Sequence, residues 1–399
     1  MYWSWRSRHS FCVIGGIMKP IKDSNPFEDD FLSESISATK QLHMLGQSIW
    51  LDNITRELLN SGTLQHYIDH LNVTGLTSNP TIFDKAIKDS DNYNQAIAEK
   101  AADGLSGEAL FFELALEDLT RAADVLRPTF DNTDGMDGWV SLEVSPLLVN
   151  NTAGTVAAAV DLHKRAQRPN MFIKIPGTPS GLTAIEETIF AGVPVNVTLL
   201  FSSEQYVAAA EAYMRGIERR IAKGLDPKVG SVASLFISRW DVAVNDRVSS
   251  DLRNHLGIAI AQQAYKDYCE LLAAPHWQSL KTAGAQSQRL LWASTGSKDP
   301  TISDSYYVSA LAAPHTINTI PEKTLLSFSK DGALSSVMTI DGVDAESKLL
   351  EFAIEGIDVG ALADQLQQEG ADAFTQSWND LLAVIEQKSR GSKSDEAPF

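Results

Sequence analysis

Residues 171–176 read MFIKIP, a short apolar run with one lysine at its centre. Val, Ile and Phe favour strands, and side chains alternate across a strand, so Met171, Ile173 and Ile175 share one face while Phe172 and Lys174 share the other. A lysine in such a run is rarely buried without a purpose.

Working outward from it, seven further runs of the same kind appear: SIWLDN (48–53), GLTSN (75–79), WVSLEV (139–144), PVNVTLLF (194–201), SVASLFIS (231–238), RLLWAST (289–295) and TINTIP (316–321). Between them lie stretches with helical periodicity: Thr55–His70, Gly107–Leu126, Thr155–Ala166, Gly181–Ala191, Ser203–Lys223 and a longer mix from Trp240 to Leu280. Eight βα units predict an α/β fold, a (β/α)8 TIM barrel. The spacers between the second and third strands and between the sixth and seventh are too long for one helix and predict additional helices there. Residues 322–387 read as mostly helical and predict a cap on the barrel. The expected organisation is one barrel domain over 37–387, an N-terminal extension over 1–36 and a disordered tail over 388–399.

Composition sets the surroundings. A formal net charge of −18 in 399 residues argues against nucleic-acid binding, which needs clustered Lys and Arg. Cys12 and Cys269 form neither a disulfide framework nor a metal-ligand spacing, which favours a reducing, cytoplasmic setting. No run of 18 apolar residues predicts a membrane span. Residues 1–17 hold Arg6, Arg8 and no acid, too weak a pattern for a secretory signal, and leave a disordered extension, an organellar targeting segment or a start at Met18 open. The eight histidines are scattered, His66 and His70 read as helix-surface residues, and no metal is expected. Phosphate-binding glycine loops of the G-x-x-x-x-G-K-[ST] and G-x-G-x-x-G types are absent.

Polar residues recur near the C-terminal ends of the runs, where barrel enzymes keep their active sites. Ser141 and Glu143 share a face, as do Asn196 and Thr198, Trp50 and Asp52, Thr77 and Asn79, Ser234 and Phe236, and Trp292 and Ser294. A single Thr, Ser or Asn at a strand exit is ordinary. Lys174 with Glu143 and Asp52 is not, because a buried ionic trio is costly as a structural device. A lysine attacks a ketone only as the free amine, which desolvation favours. The protonated imine is then an electron sink that lets the C–C bond β to it break. Two carboxyl groups have separate duties in that chemistry: one shuttles protons during imine formation, the other takes the hydroxyl proton.

These segments together resemble transaldolase: FIKIP around Lys174, TSNPTIF, SLEVSP around Glu143, NVTLLFS around Thr198, SLFISRWD and WASTGSKDP, in order, from about Gln47 to Leu382. The resemblance implies that Lys174 forms the Schiff base, Glu143 shuttles protons through a water held by Thr198, and Asp52 handles the hydroxyl proton. It implies that Asn79 binds the dihydroxyacetone unit, with Asn196 a neighbouring candidate. Ser234, Arg239 and Ser294 match phosphate-site residues, and Lys298 supplies a second cation where the best-known branch has an arginine. The implied reaction moves a dihydroxyacetone unit from sedoheptulose 7-phosphate or fructose 6-phosphate to glyceraldehyde 3-phosphate or erythrose 4-phosphate, in the pentose phosphate pathway, without a cofactor. A monomer or homodimer is the expected working form. A related aldolase that releases free dihydroxyacetone carries a glutamine at the shuttle position and a tyrosine near the sixth-strand serine. Glu143 and Phe236 favour transfer over release.

Overall fold

The computed structural model describes residues 36–334, 336–340 and 342–394, so the extension expected over 1–36 lies outside the described residues except for Ile36. Among the described residues eight strands form: β1 (Ser48–Asp52), β2 (Val73–Thr77), β3 (Trp139–Glu143), β4 (Met171–Pro176), β5 (Val195–Leu200), β6 (Ser231–Phe236), β7 (Arg289–Ala293) and β8 (Ile317–Ile320). They are all parallel and close in chain order into a barrel, with β8 returning to β1. The expected barrel is the fold observed.

The helices differ from the periodicity in instructive places. Thr55–His70 splits into Arg56–Asn60 and Thr63–Leu71, because Gly62 adopts φ 76°, which ends one helix and starts the next. The helix from Gly107 runs on to Asn132 with Pro128 inside it. Helices Pro80–Lys88 and Asn94–Ala102 join it in the β2–β3 connection, and Ser238–Val244, Leu256–Ala273 and Pro275–Thr282 fill the β6–β7 connection. After β8 come Glu322–Asp331, Val343–Ile354 and the long C-terminal helix Val359–Ser394. Residues 388–394, expected in a disordered tail, continue that helix. Lys388 Nζ donates to Ser90 O and Asn94 Oδ1, both at 2.8 Å, which ties this turn to the body of the protein.

Register decides which side chains fill the barrel. Ser48, Trp50 and Asp52 of β1 pair with Ile317, Thr319 and, on the other side, Gly75 and Thr77. Glu143 pairs with Lys174, and Lys174 with Asn196. The N-terminal end is plugged by aromatic rings: Trp139 stacks on Phe172 with centroids 3.9 Å apart, and Trp50 lies 6.2 Å from Phe172. Gly75 makes room for this plug, since a Cβ there would lie 2.5 Å from Trp50 Nε1. Beneath the rings, buried Asp137 accepts from Ser48 Oγ and, at 2.6 Å, from Trp50 Nε1, while Arg289 lies 3.8 Å away. Above the rings sits a hydrogen-bonded layer in which Asn196 Nδ2 donates to Ser141 Oγ at 3.0 Å and Ser234 Oγ donates to Asn196 Oδ1 at 2.7 Å.

On β7 the inward face is not the one expected. Ala293 pairs with Phe236, and Arg289 with Val232, so Arg289, Leu291 and Ala293 point into the barrel and Trp292 points to the helices. The expected inward pairing of Trp292 with Ser294 is therefore corrected. The run RLLWA is apolar on both faces after Arg289, so alternation alone carries no sign of which face is inside.

Candidate active site

At the C-terminal mouth the barrel opens into a cavity of about 260 Å³. Lys174 stands in its floor, 5% exposed, held by β4 between Ile173 and Ile175. Its Nζ donates to Ser78 O at 3.3 Å and lies 3.6 Å from Glu143 Oε2. The latter is ion-pair distance without a hydrogen bond, and neither Glu143 oxygen has a hydrogen-bond partner among the described residues. Burial pushes the Glu143 carboxyl up to about 7, against the pull of Lys174 and its contact, with Asp52 adding to the rise. A carboxyl that titrates near neutrality can both give and take a proton there.

Asp52 closes β1 at the edge of the cavity, half-buried, with Oδ1 accepting from Thr77 Oγ1 at 2.8 Å. Thr319 Oγ1 meets the same Thr77 hydroxyl at 2.5 Å, so β1, β2 and β8 jointly orient the carboxyl. Burial raises Asp52 above the usual carboxylate range, opposed by Lys174, the Thr77 hydrogen bond and Lys298. Two carboxyls with unequal surroundings thus flank one lysine.

Thr198 lies fully buried on β5, one residue beyond Val197 in a strand whose register breaks between Val197 and Leu200. Its hydroxyl has no partner among the described residues. The break is taken up by Leu199 in the left-handed region at φ 58°, an uncommon conformation for a branched residue. Strain of this kind concentrates at functional sites.

Asn79 is not a strand residue. β2 ends at Thr77, and Asn79 caps helix Pro80–Lys88, its Oδ1 accepting from Ile82 N at 3.0 Å. Asn79 also lines the cavity. Asn196, the neighbouring candidate, sits deeper. Both ends of its amide are engaged by Ser141 and Ser234, and it does not line the cavity. Ser234 does line it, although its hydroxyl is committed to Asn196.

Arg239 and Lys298 bring positive charge to the β6–β7 side of the mouth. The Arg239 guanidinium lies 5.1 Å from the Phe236 ring centroid and 6.0 Å from that of Phe374, with no ion pair among the described residues. Burial holds it below its ordinary value, and Glu369 opposes this. Lys298 is exposed on the loop after β7. Ser294 reaches the cavity despite the β7 facing because its backbone turns left-handed at φ 56°, and its hydroxyl meets Ser238 Oγ at 3.0 Å. All predicted residues except Asn196 and the buried pair Glu143 and Thr198 line the cavity itself.

Several contributors carry no local signal in the sequence. Lys85, four residues after Thr81 on helix Pro80–Lys88, lines the cavity from the β2 side, and Thr319 lines it from β8. Phe374 descends from the C-terminal helix, buried, 5.9 Å from Lys174 Nζ. Lys85 was detectable only as the same-face partner of Thr81. Phe374 belongs to an ordinary amphipathic pattern. Among the described residues there is no cluster of three or more His, Cys, Asp or Glu placed to hold a metal, and no helix is long and apolar enough to cross a membrane.

Known proteins share this arrangement of sequence. The family model described as Transaldolase/Fructose-6-phosphate aldolase matches residues 49–385. Transaldolase 2 of Streptomyces coelicolor is 43% identical over 359 residues, covering 88% of this chain and 96% of that protein. The transaldolase of Mycobacterium tuberculosis is 42% identical over 351 residues, covering 86% of this chain and 94% of that protein. With a matched region that runs from β1 into the C-terminal helix and takes in every strand of the barrel, the chain belongs to the transaldolase/fructose-6-phosphate aldolase family.

Proposed function

We propose that the chain works as a transaldolase of the pentose phosphate pathway, moving a dihydroxyacetone unit from sedoheptulose 7-phosphate or fructose 6-phosphate to glyceraldehyde 3-phosphate or erythrose 4-phosphate. The observation that carries this reading is Lys174 buried beside Glu143, with Asp52 on the rim of the same cavity. The Lys174 amine adds to the ketose C2 carbonyl. Glu143 protonates the departing hydroxyl of the carbinolamine, through a water that Thr198 holds, and water leaves as the imine forms. Asp52 then takes the proton of the C4 hydroxyl, the C3–C4 bond breaks, and its electrons move into an enamine on Lys174 as the aldehyde departs. Attack of that enamine on the acceptor aldehyde reverses the sequence. Asn79 hydrogen-bonds the dihydroxyacetone unit, while Arg239, Ser294 and Lys298 take the phosphate, where an arginine suits bidentate contact.

Support for transfer over release comes from Glu143 and Phe236, which differ from the glutamine and tyrosine of the releasing aldolase. A cytoplasmic setting, which the sparse cysteines support, and a monomer or homodimer as the working form belong to the same proposal. The test is borohydride reduction in the presence of fructose 6-phosphate. A covalent mass gain is expected on the peptide containing Lys174 and none in Lys174→Ala; a gain that survives that substitution would sink the assignment.

A further inference from the structure

β6 and β7 stay paired beyond the ends of their strands. Ile237 N donates to Ala293 O and Ser238 N to Ser294 O, both at 3.0 Å. The hydroxyls of the last pair also meet, with Ser238 Oγ 3.0 Å from Ser294 Oγ. The two serines are not equivalent. Ser294 is half-buried and lines the cavity that holds Lys174, whereas Ser238 is 1% exposed and does not line it. Ser238 opens the short helix Ser238–Val244, whose next residues fix it to the barrel. Trp240 Nε1 donates to Phe201 O at 3.0 Å, and the buried Asp241 carboxylate accepts from Leu256 N and Tyr307 Oη, both at 2.8 Å. Ser238 therefore stands on an anchored support behind a residue that faces the substrate.

A hydroxyl carries one proton and two acceptor lone pairs. Ser294 Oγ is the sole hydrogen-bond partner of the Ser238 hydroxyl among the described residues, so the buried Ser238 proton, which needs an acceptor, goes to Ser294. The Ser294 proton is then free, and the cavity is the side open to it. From this geometry we infer that Ser238 is a positioning residue of the phosphate site: by donating to Ser294, it commits the Ser294 proton to a phosphate oxygen of the substrate. The inference rests on the phosphate site proposed above. An ionised phosphate oxygen only accepts, so a serine that offers its proton binds it and one that offers a lone pair repels it. Without the Ser238 hydroxyl, Ser294 Oγ–H rotates freely and spends part of its time with a lone pair toward the anion.

The experiment compares the full-length protein with Ser238→Ala, Ser294→Ala and the double variant. It measures KM and kcat for transfer from fructose 6-phosphate to erythrose 4-phosphate, and the Ki of inorganic phosphate as competitor. It also measures the rate of borohydride-trapped adduct formation with dihydroxyacetone, which carries no phosphate. Ser238→Ala is expected to raise KM and the phosphate Ki about fivefold, with kcat and the trapping rate within about twofold of the unsubstituted protein. The double variant is expected to match Ser294→Ala, because Ser238 acts through Ser294. A Ki unchanged in Ser238→Ala, or losses that add in the double variant, overturns the inference. So does a fall in dihydroxyacetone trapping as large as the rise in Ki, which marks a general structural defect. If Ser238→Ala does not fold, as judged by circular dichroism, Ser238→Cys decides by the same Ki, since a thiol is a weak donor. The two claims fail separately. A Ki unchanged in Ser294→Ala removes the phosphate assignment and the inference with it, whereas a Ki raised in Ser294→Ala but not in Ser238→Ala removes only the role of Ser238.

Discussion

Glu143 and Lys174 face each other in register on adjacent parallel strands, with Oε2 3.6 Å from Nζ and both side chains almost closed to solvent. Neither carboxylate oxygen has a hydrogen-bond partner among the described residues, so the pair is held by strand geometry and charge rather than by a bonded network. A carboxyl kept in that state costs stability as a structural element and is suited to moving protons.

The pH dependence of imine formation follows from that carboxyl. Burial moves it upward, to about 7, so it stays protonated through the range in which an exposed glutamate ionises. Dehydration of the carbinolamine uses the acid form. The rate of borohydride-trappable adduct formation is therefore expected to fall as pH rises through about 7. Glu143→Gln lowers that rate about 100-fold or more and removes the inflection. An inflection that persists in the variant would assign it to another group.

Asp52→Asn separates imine formation from C–C cleavage. The variant retains Lys174 and Glu143, so adduct formation with fructose 6-phosphate persists. Product formation drops about 100-fold or more, because the acceptor for the C4 hydroxyl proton is gone. Loss of the adduct together with turnover would place Asp52 in the earlier step. Mass spectrometry of the trapped peptide and a transfer assay decide between the two.

The cations of the mouth are unequal. Arg239 is partly buried against two aromatic rings, whereas Lys298 is exposed. Arg239→Ala is expected to raise KM for fructose 6-phosphate about 10- to 100-fold with a smaller change in kcat, as loss of a charge-assisted contact predicts. Lys298→Ala has a weaker effect, which fades with added salt because solvent and ions already screen an exposed charge. Steady-state kinetics at two ionic strengths test the order.

At the opposite end of the barrel, Asp137→Ala tests stability alone. Asp137 accepts from Ser48 and Trp50 and is the acidic partner of Arg289, which is 6% exposed. Removing it leaves a buried guanidinium without its carboxylate, at a cost of about 3 kcal/mol. Denaturant unfolding reads the loss, and KM stays unchanged, since the substitution lies below the aromatic plug.

The barrel was legible in the sequence because its causes are local. Period-two apolar runs separated by helical stretches state eight βα units, and the strand-end residues Lys174, Glu143 and Asp52 stand out because ionisable groups are rare in such runs. Strand facing was legible wherever a polar residue marks the inside, as on β3, β4 and β5. On β7, Leu290, Leu291 and Trp292 are apolar on either side, and only pairing with β6 shows that Ala293 faces in. Asn79 and Asn196 look alike as strand-end amides. Yet one caps a helix at the rim, and the other is spent between Ser141 and Ser234. The wall formed by Phe374 was beyond the sequence altogether, 200 residues after Lys174 on a helix with an unexceptional pattern. Chemistry written into a strand can be read from the strand, because alternation fixes its neighbours. A contact made by a helix returning over the mouth depends on long-range packing, and the tertiary structure alone decides it.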